Sequence, residues 1–296
     1  IPAYNEEKSI VKTLESLKNQ TYQGKVEIIV VDNNSTDNTA QIAEKLGAKV
    51  IFESQKGVAH ARQAGFMAAK GDLIVTTDSD TILPLNWLSW YDNQFQKNPK
   101  AVMISGMYNF YDGSLILNFA NWALNYFLFV IFSWYSGANM AVKRNAFKTV
   151  NGFDTTLPLS EDSDLGVRLR KYGKVLRFAN FKVQTSARRF NSLGFFGGLW
   201  DYSYNYTIFK LHIKRSNVNF RSGSEVKELG RLPRLAIQLA VIAVVLFSLF
   251  GVMEVKPVKA AVVRNQHRIK NQMQKVDVDM IDVNWQQVKS FNHVSH

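Results

Sequence analysis

Two aspartates separated by a single serine, Asp78 and Asp80, have the clearest chemical potential in this chain. They follow the apolar run 72–77, which is typical of a β-strand, so both carboxylates fall in the turn after it. This spacing lets both reach one divalent cation, and hard oxygen ligands favour Mg²⁺ or Mn²⁺. Such an ion can bridge a diphosphate and neutralise it as it leaves. The D-x-D pattern alone is common in ordinary turns, and the preceding strand is what favours a site here.

A third carboxylate, Asp32, ends the apolar run 26–32 and can accept hydrogen bonds from a nucleoside base or ribose. The alternative is an ordinary turn residue that caps the following helix. Because Ser35 and Asp37 are better placed to act as that cap, we expect Asp32 to remain available to a ligand.

Neighbouring carboxylates also open a predicted helix over residues 161–172, where Glu161 and Asp162 are adjacent. Like charges at this distance raise the pKa of one group, which suits a general base. The alternative is N-terminal capping and a favourable interaction with the helix dipole. Arg62, in the second turn of a helix that opens at Gly57, can contact a nucleotide or an acidic partner, or lie in solvent.

The elements that must position these groups alternate between strand and helix. The predicted strands are 26–32, 49–52, 72–77 and 101–106, and the predicted helices are 7–19, 37–46, 57–70 and 84–97. This order predicts an α/β fold, a doubly wound mixed sheet flanked by helices, with ligands at the carboxyl ends of the strands. After residue 106 the alternation stops, and two short strands are predicted around 174–178 and 182–186.

Two apolar segments point to a membrane. Residues 235–253 carry no charge over 19 positions and have basic residues on both sides, which predicts a membrane span, with a buried or in-plane helix as the alternative. Residues 115–135 are aromatic and uncharged, typical of either an interfacial helix or a core helix. We therefore expect a catalytic domain over 1–230 with a truncated first strand, a membrane-associated helix over 231–255 and a polar basic tail over 256–296.

Charge supports the same interpretation. The net charge is +12, and residues 181–296 hold 17 Lys and Arg against 7 Asp and Glu. A basic segment next to a candidate span suits anionic head groups or a lipid-linked diphosphate. Aromatic and basic residues together can bind RNA, but no nucleic-acid-binding fold is visible, so nucleic acid is not an expected partner. The absence of cysteine excludes disulfides, thiolate metal sites and a cysteine nucleophile.

Taken together, the motifs resemble family 2 of the glycosyltransferases, which has the GT-A fold, over about residues 1–190. The resemblance rests on seven segments in the right order: 1–7 (IPAYNEE), 31–39 (VDNNSTDNT), 61–65 (ARQAG), 77–81 (TDSDT), 137–141 (GANMA), 151–154 (NGFD) and 161–162 (ED).

The resemblance implies an inverting transfer of a sugar from a nucleotide-sugar donor, usually a uridine one. It makes Asp162 the base, with Glu161 beside it, and gives Asp78 and Asp80 the metal. The residues that it places around the nucleotide-sugar are Pro2, Ala3, Tyr4, Glu6, Asp32, Arg62, Asp78 and Ser79.

The chain departs from the processive branch of this family, because no Q-x-x-R-W sequence follows the ED motif. Arg188 and Arg189 lie in a similar region and can contact the donor pyrophosphate or a phosphorylated acceptor, or be surface charges. We expect transfer of one sugar per event to a lipid-linked or glycan acceptor, by an enzyme at the cell membrane with its catalytic domain on the cytoplasmic side.

Three alternative functions agree less well with the sequence. A nucleotidyltransferase usually opens with a glycine-rich loop after its first strand, whereas this chain opens with Pro-Ala-Tyr-Asn-Glu, and a dinucleotide oxidoreductase would need G-x-G-x-x-G. An inactive, membrane-attached binding protein is the other alternative, and the complete set of acidic motifs weighs against it.

Overall fold

A computed structural model describes residues 1–115, 117–119, 121–122, 135–157, 160–188 and 190–192. These ranges contain every motif named above. Arg189, the predicted membrane helix over 231–255 and the tail over 256–296 lie outside the described residues, as does most of the segment 115–135. Among the helices that the structure describes, none combines the length and apolar character that crossing a bilayer requires.

Residues 2–52 build a parallel sheet in the order β1-β2-β3. Its elements are β1 (Pro2–Ala3), α1 (Ile10–Lys18), β2 (Ile29–Asp32), α2 (Thr39–Lys45) and β3 (Lys49–Phe52). All four residues of β2 are buried, which explains the apolar run in the sequence. Gly47 ends the second helix with φ +81°, as a helix C-terminus often requires.

The described elements between Val58 and Thr185 build a mixed sheet in the order β4-β6-β5-β7. Its elements are α3 (Val58–Ala68), β4 (Leu73–Thr76), α4 (Trp87–Lys97), β5 (Ala101–Phe110), β6 (Met140–Lys143), α5 (Arg144–Thr149), α6 (Glu161–Leu169) and β7 (Lys174–Thr185). Strand β6 is antiparallel to both β4 and β5, whereas β5 and β7 are parallel.

The α/β character and the order of elements agree with the sequence, and two details differ. The predicted sheet is two hydrogen-bonded sets among the described strands, one parallel and one mixed. The two short strands predicted at 174–178 and 182–186 are the single strand β7, whose register against β5 shifts between Ser105 and Met107. The apparent break in the sequence is this irregularity, because the backbone stays extended where the pairing slips.

Asn139, in the loop before β6, links the mixed sheet to helix α4. Its Oδ1 accepts hydrogen bonds from Trp87 Nε1 at 2.9 Å and Tyr91 Oη at 2.8 Å. Its Nδ2 donates to the carbonyl oxygens of Met107 at 2.9 Å and Phe181 at 3.2 Å. The side chain is wholly buried, so one amide satisfies polar groups from α4, β5 and β7 at once.

Replacing Asn139 with alanine should therefore be costly, because it strands several buried donors and acceptors. At about 1–3 kcal/mol for each group left unpaired, we expect Asn139→Ala to lose at least ~3 kcal/mol of unfolding free energy in urea. The exposed Asn145, also changed to alanine, is the matched control. A loss within ~1 kcal/mol of that control would contradict this role for Asn139.

Candidate functional site

Several predicted site residues lie in or directly after strands β1, β2 and β4. Pro2 and Ala3 form β1, and Ala3 pairs with Asp32 at the end of β2. The turn that holds Asp78 and Asp80 begins directly after β4. The neighbouring helix fixes this turn, because Thr13 Oγ1 donates to the carbonyl of the buried Ser79 at 2.9 Å.

The first motif is tied to the second by polar contacts. The backbone N–H of Asn5 donates to Ser35 Oγ at 3.0 Å, and that of Glu6 donates to Thr39 Oγ1 at 2.7 Å. Asn5 has φ 54°, a left-handed turn that asparagine tolerates. These bonds hold segment 1–7 against the loop that follows Asp32. Within this segment, the aromatic ring of Tyr4 lies under Lys56, whose Nζ is 5.4 Å from the ring centroid.

Asp32 is buried, and its Oδ1 accepts the N–H of Ser35 at 3.1 Å. Asp37 Oδ1 accepts the N–H of Thr39, the first residue of α2, at 3.0 Å. The expectation of a cap at Ser35 or Asp37 is therefore wrong, because the N-cap residue is Asn38 and its side chain makes no capping hydrogen bond. Ser35 instead binds Asn5. Asp32 is the last residue of β2, and its carboxylate accepts the hydrogen bond from Ser35.

Arg62 is not a solvated side chain. Its residue is 7 % exposed, its Nη2 donates to Asp78 Oδ1 at 2.6 Å, and its Nη1 donates to Glu161 Oε1. Burial acts to lower the pKa of Arg62, but the carboxylates of Glu161, Asp78 and Asp162 outweigh it and raise that pKa. Arg62 is therefore a permanent cation that joins the turn of Asp78 to the start of α6, and the nucleotide contact expected of it stays a prediction.

Asp162 is the carboxylate best suited to accept a proton. Its Oδ2 accepts the N–H of Gly137 and its Oδ1 that of Ser163, each at 2.7 Å. Burial raises the pKa of Asp162 to about 7, repulsion from Glu161 adds to the rise, and Arg62 and the two N–H groups oppose it. A carboxyl that titrates near neutral pH is suited to general base catalysis.

Gly137 is a functional residue that sequence reasoning used only as part of a motif. A Cβ at this position would lie 2.3 Å from the Cζ of Arg62, far inside van der Waals contact. Only glycine lets the backbone N–H reach Asp162 while the guanidinium lies against the same residue. Nothing in local spacing announces this requirement, because the two partners are far apart in sequence.

Asp80 lies close to other acids and to a cation. Its Oδ1 accepts from Thr185 Oγ1 at 3.0 Å, and its Oδ2 lies 3.3 Å from Arg188 Nη2. Burial raises the pKa of Asp80 to about 6; Arg188 opposes this, and Asp78 and Glu6 add to the rise. The repulsion between Asp80 and Asp78 would be relieved by a divalent cation, so these hard oxygens fit Mg²⁺ or Mn²⁺.

Within the described ranges, no three acidic or histidine side chains lie together closely enough to hold a metal ion by themselves. An ion held by Asp78 and Asp80 would therefore take its remaining ligands from a diphosphate and water, as Mg²⁺ commonly does.

Glu6 and Arg188 form an ion pair that sequence reasoning missed. Arg188 Nη1 donates to Glu6 Oε2 at 2.8 Å, and Nη2 donates to Glu6 Oε1. Both residues were predicted site residues, but 182 positions separate them and no local pattern links them. The pairing excludes the view of Arg188 as a free surface charge.

Comparison with known proteins agrees with this geometry. The family model "Glycosyl transferase family 2" matches residues 1–150, and the chain therefore belongs to that family. The match decides against the nucleotidyltransferase alternative.

Curated relatives include the glycosyltransferase GlyG of Streptococcus pneumoniae, 35% identical over 116 residues, 37% of this chain and 38% of that protein. The probable glycosyltransferase YdaM of Bacillus subtilis is 28% identical over 205 residues, 60% of this chain and 47% of that protein. The chain spans less than half the length of these two relatives.

Solved structures confirm the GT-A fold. S. aureus TarS 1–349 aligns with a TM-score of 0.51 at 18% identity, over 69% of this chain and 63% of that one. Glucosyl-3-phosphoglycerate synthase from Mycobacterium tuberculosis, in complex with Mn²⁺, UDP-glucose and phosphoglyceric acid, aligns with a TM-score of 0.51 at 21% identity, over 75% and 81%.

Substitution of Gly137 tests the packing on which Asp162 depends. The added methyl of Gly137→Ala must displace the buried Arg62 guanidinium, so we expect a loss of about 2–4 kcal/mol in unfolding free energy. In an Arg62→Ala background the same change should add little, because the clashing group is gone. Equal costs in both backgrounds would show that Arg62 is not the obstacle.

Proposed function

We infer that this chain transfers one sugar from a nucleoside diphosphate sugar, with a UDP-sugar as the favoured donor, to an acceptor hydroxyl, with inversion at the anomeric carbon. The observation that carries this proposal is the Arg62 cluster. One buried guanidinium binds both Asp78 of the metal motif and Glu161, the neighbour of the candidate base Asp162. The groups that would hold the leaving diphosphate and the group that would accept a proton are thereby fixed close to one another.

The proposed reaction is a single displacement. Asp162 accepts the proton of the acceptor hydroxyl as its oxygen forms a bond to the anomeric carbon. The bond from that carbon to the donor phosphate oxygen breaks, and its electron pair leaves with the nucleoside diphosphate. Asp78 and Asp80 would hold a divalent ion, which would neutralise that leaving charge. Asp32, Tyr4 and the backbone of β1 would orient the nucleotide.

Two neighbours support a metal-dependent nucleotide-sugar donor. The mycobacterial synthase was solved with Mn²⁺ and UDP-glucose, and the mannosyltransferase PcManGT of Pyrobaculum calidifontis with GDP-Man and Mn²⁺. The latter aligns with a TM-score of 0.50 at 18% identity. The uridine preference proposed for this chain rests on Asp32 at the end of β2.

A lipid-linked or glycan acceptor at the cytoplasmic face of the cell membrane is the proposed second substrate. One relative is the dolichyl-phosphate hexose transferase of Haloferax volcanii, 38% identical over 85 residues. The uncharged residues 235–253 and the basic residues around them support membrane association of this chain.

Because Asp80 and Asp162 have separate proposed roles, we expect substitution of Asp80 to weaken binding and substitution of Asp162 to slow transfer. Asp80→Asn should weaken Mn²⁺-dependent UDP binding, measured by calorimetry, because it removes a hard anionic ligand. Asp162→Asn should keep that binding and lose about 10²- to 10⁴-fold in transfer rate, the usual contribution of a general base. Asp164→Asn is the matched control, since Asp164 pairs with Arg168 on α6. Wild-type transfer by Asp162→Asn would remove the base assignment.

The pH dependence should report the same carboxyl. Asp162 must be ionised to accept a proton, so we expect the transfer rate to rise with pH through an apparent pKa of about 7. Because repulsion from Glu161 contributes to that raised pKa, Glu161→Gln should move the acidic limb to lower pH. The acidic limb of the pH–rate profile reports the coupled titration of Glu161 and Asp162. The measurement is therefore the shift of this limb between wild type and Glu161→Gln at saturating metal. A limb that stays in place, or moves upward, would argue against this coupling.

A further inference from the structure

Arg188 lies on two carboxylates of the proposed donor site at once. Its Nη2 is shared between Glu6 Oε1 and Asp80 Oδ2, the latter at 3.3 Å, and its Nη1 donates to Glu6 Oε2 at 2.8 Å. The side chain of Arg188 is 45% exposed, against 8% for Glu6 and 11% for Asp80. Of these three groups, the cation is therefore the one with room to move.

The two acids are fixed from other directions. The backbone N–H of Glu6 is bound to Thr39 Oγ1, and Asp80 Oδ1 is bound to Thr185 Oγ1. Arg188 Nη2 reaches both carboxylates, because it binds Glu6 Oε1 and lies 3.3 Å from Asp80 Oδ2. Two fixed acids so placed need a cation between them, and Arg188 supplies it from the protein itself.

The backbone that carries Arg188 is also fixed. Asp112 accepts the N–H of Ala187 at 2.5 Å and the hydroxyl of Ser186 at 2.7 Å, and Ala187 is fully buried. The ring of Phe190 packs on Phe110 with centroids 5.2 Å apart. The backbone before Arg188 is therefore anchored, and its side chain is the part that can move. Such a movement would change one of the two carboxylate partners of Nη2.

We propose that Arg188 is an internal counter-ion that competes with the divalent metal for Asp80, so that metal binding is weak until a nucleoside diphosphate offers Arg188 another anion. A guanidinium and a divalent ion repel each other, and both need the same carboxylate oxygen. When a diphosphate is bound, Arg188 can transfer its Nη2 to a phosphate oxygen and leave Asp80 Oδ2 to the metal. Metal and nucleotide then favour each other's binding, and the diphosphate half of this exchange rests on the proposed function.

The test is the affinity of the folded chain for Mn²⁺ alone, measured by electron paramagnetic resonance, and again with UDP present. Arg188→Gln should bind Mn²⁺ alone about 5-fold more tightly, the size expected for loss of a half-exposed ion pair. The gain in Mn²⁺ affinity that UDP produces should shrink in this variant, because the competitor that UDP relocates has been removed. Arg188→Lys keeps the charge without the two-pronged geometry and should lie between the variant and the wild type.

Arg144→Gln is the matched control for net charge, since Arg144 pairs with the exposed Asp72. It should leave the Mn²⁺ affinity unchanged. An unchanged or weaker Mn²⁺ affinity in Arg188→Gln, with the melting temperature retained, would overturn the competition. Tighter Mn²⁺ binding in Arg188→Gln together with no release of nucleoside diphosphate from any donor would support the competition and overturn the proposed function instead.

Discussion

The buried cation of Arg62 is the interaction on which the site depends. Asp78, Glu161 and Asp162 all lie near it, and its positive charge opposes the rise in the pKa of Asp162 that burial and Glu161 cause. A buried ion pair is a weak source of stability but a strict geometric constraint, because removing one member leaves the other uncompensated. The main structural effect of Arg62 is to fix where the two halves of the site meet.

Gly137 and Asn139 help to hold Arg62 and Asp162 in place. Gly137 provides the space that the guanidinium occupies and the N–H that binds Asp162. The buried amide of Asn139, two residues later, fixes the loop against α4, β5 and β7. The position of the candidate base thus follows from packing in the mixed sheet as much as from the helix that carries Asp162.

The sequence was a good guide wherever a short pattern determines structure. The apolar run before Asp32 marks a buried strand, and the D-x-D pair after β4 lies in the turn where it was expected. It was a poor guide to contacts between distant residues. The pairing of Arg188 with Glu6 and the need for glycine opposite Arg62 depend on how sheets and loops meet, which no local periodicity encodes. The continuous β7 was missed for a related reason, since a slip in pairing resembles a break in the strand.

The ion pair between Glu6 and Arg188 also has a consequence for biosynthesis. Its members are 182 residues apart, so the first β-strand and helix can form long before their last partner leaves the ribosome. At about 5–20 residues per second, that interval is of the order of ten seconds or more. Until Arg188 is made, Glu6 and the later Asp80 lack the guanidinium that contacts both of them. The contact forms late because it joins residues far apart in sequence, and long-range closure of this kind is slow to fold.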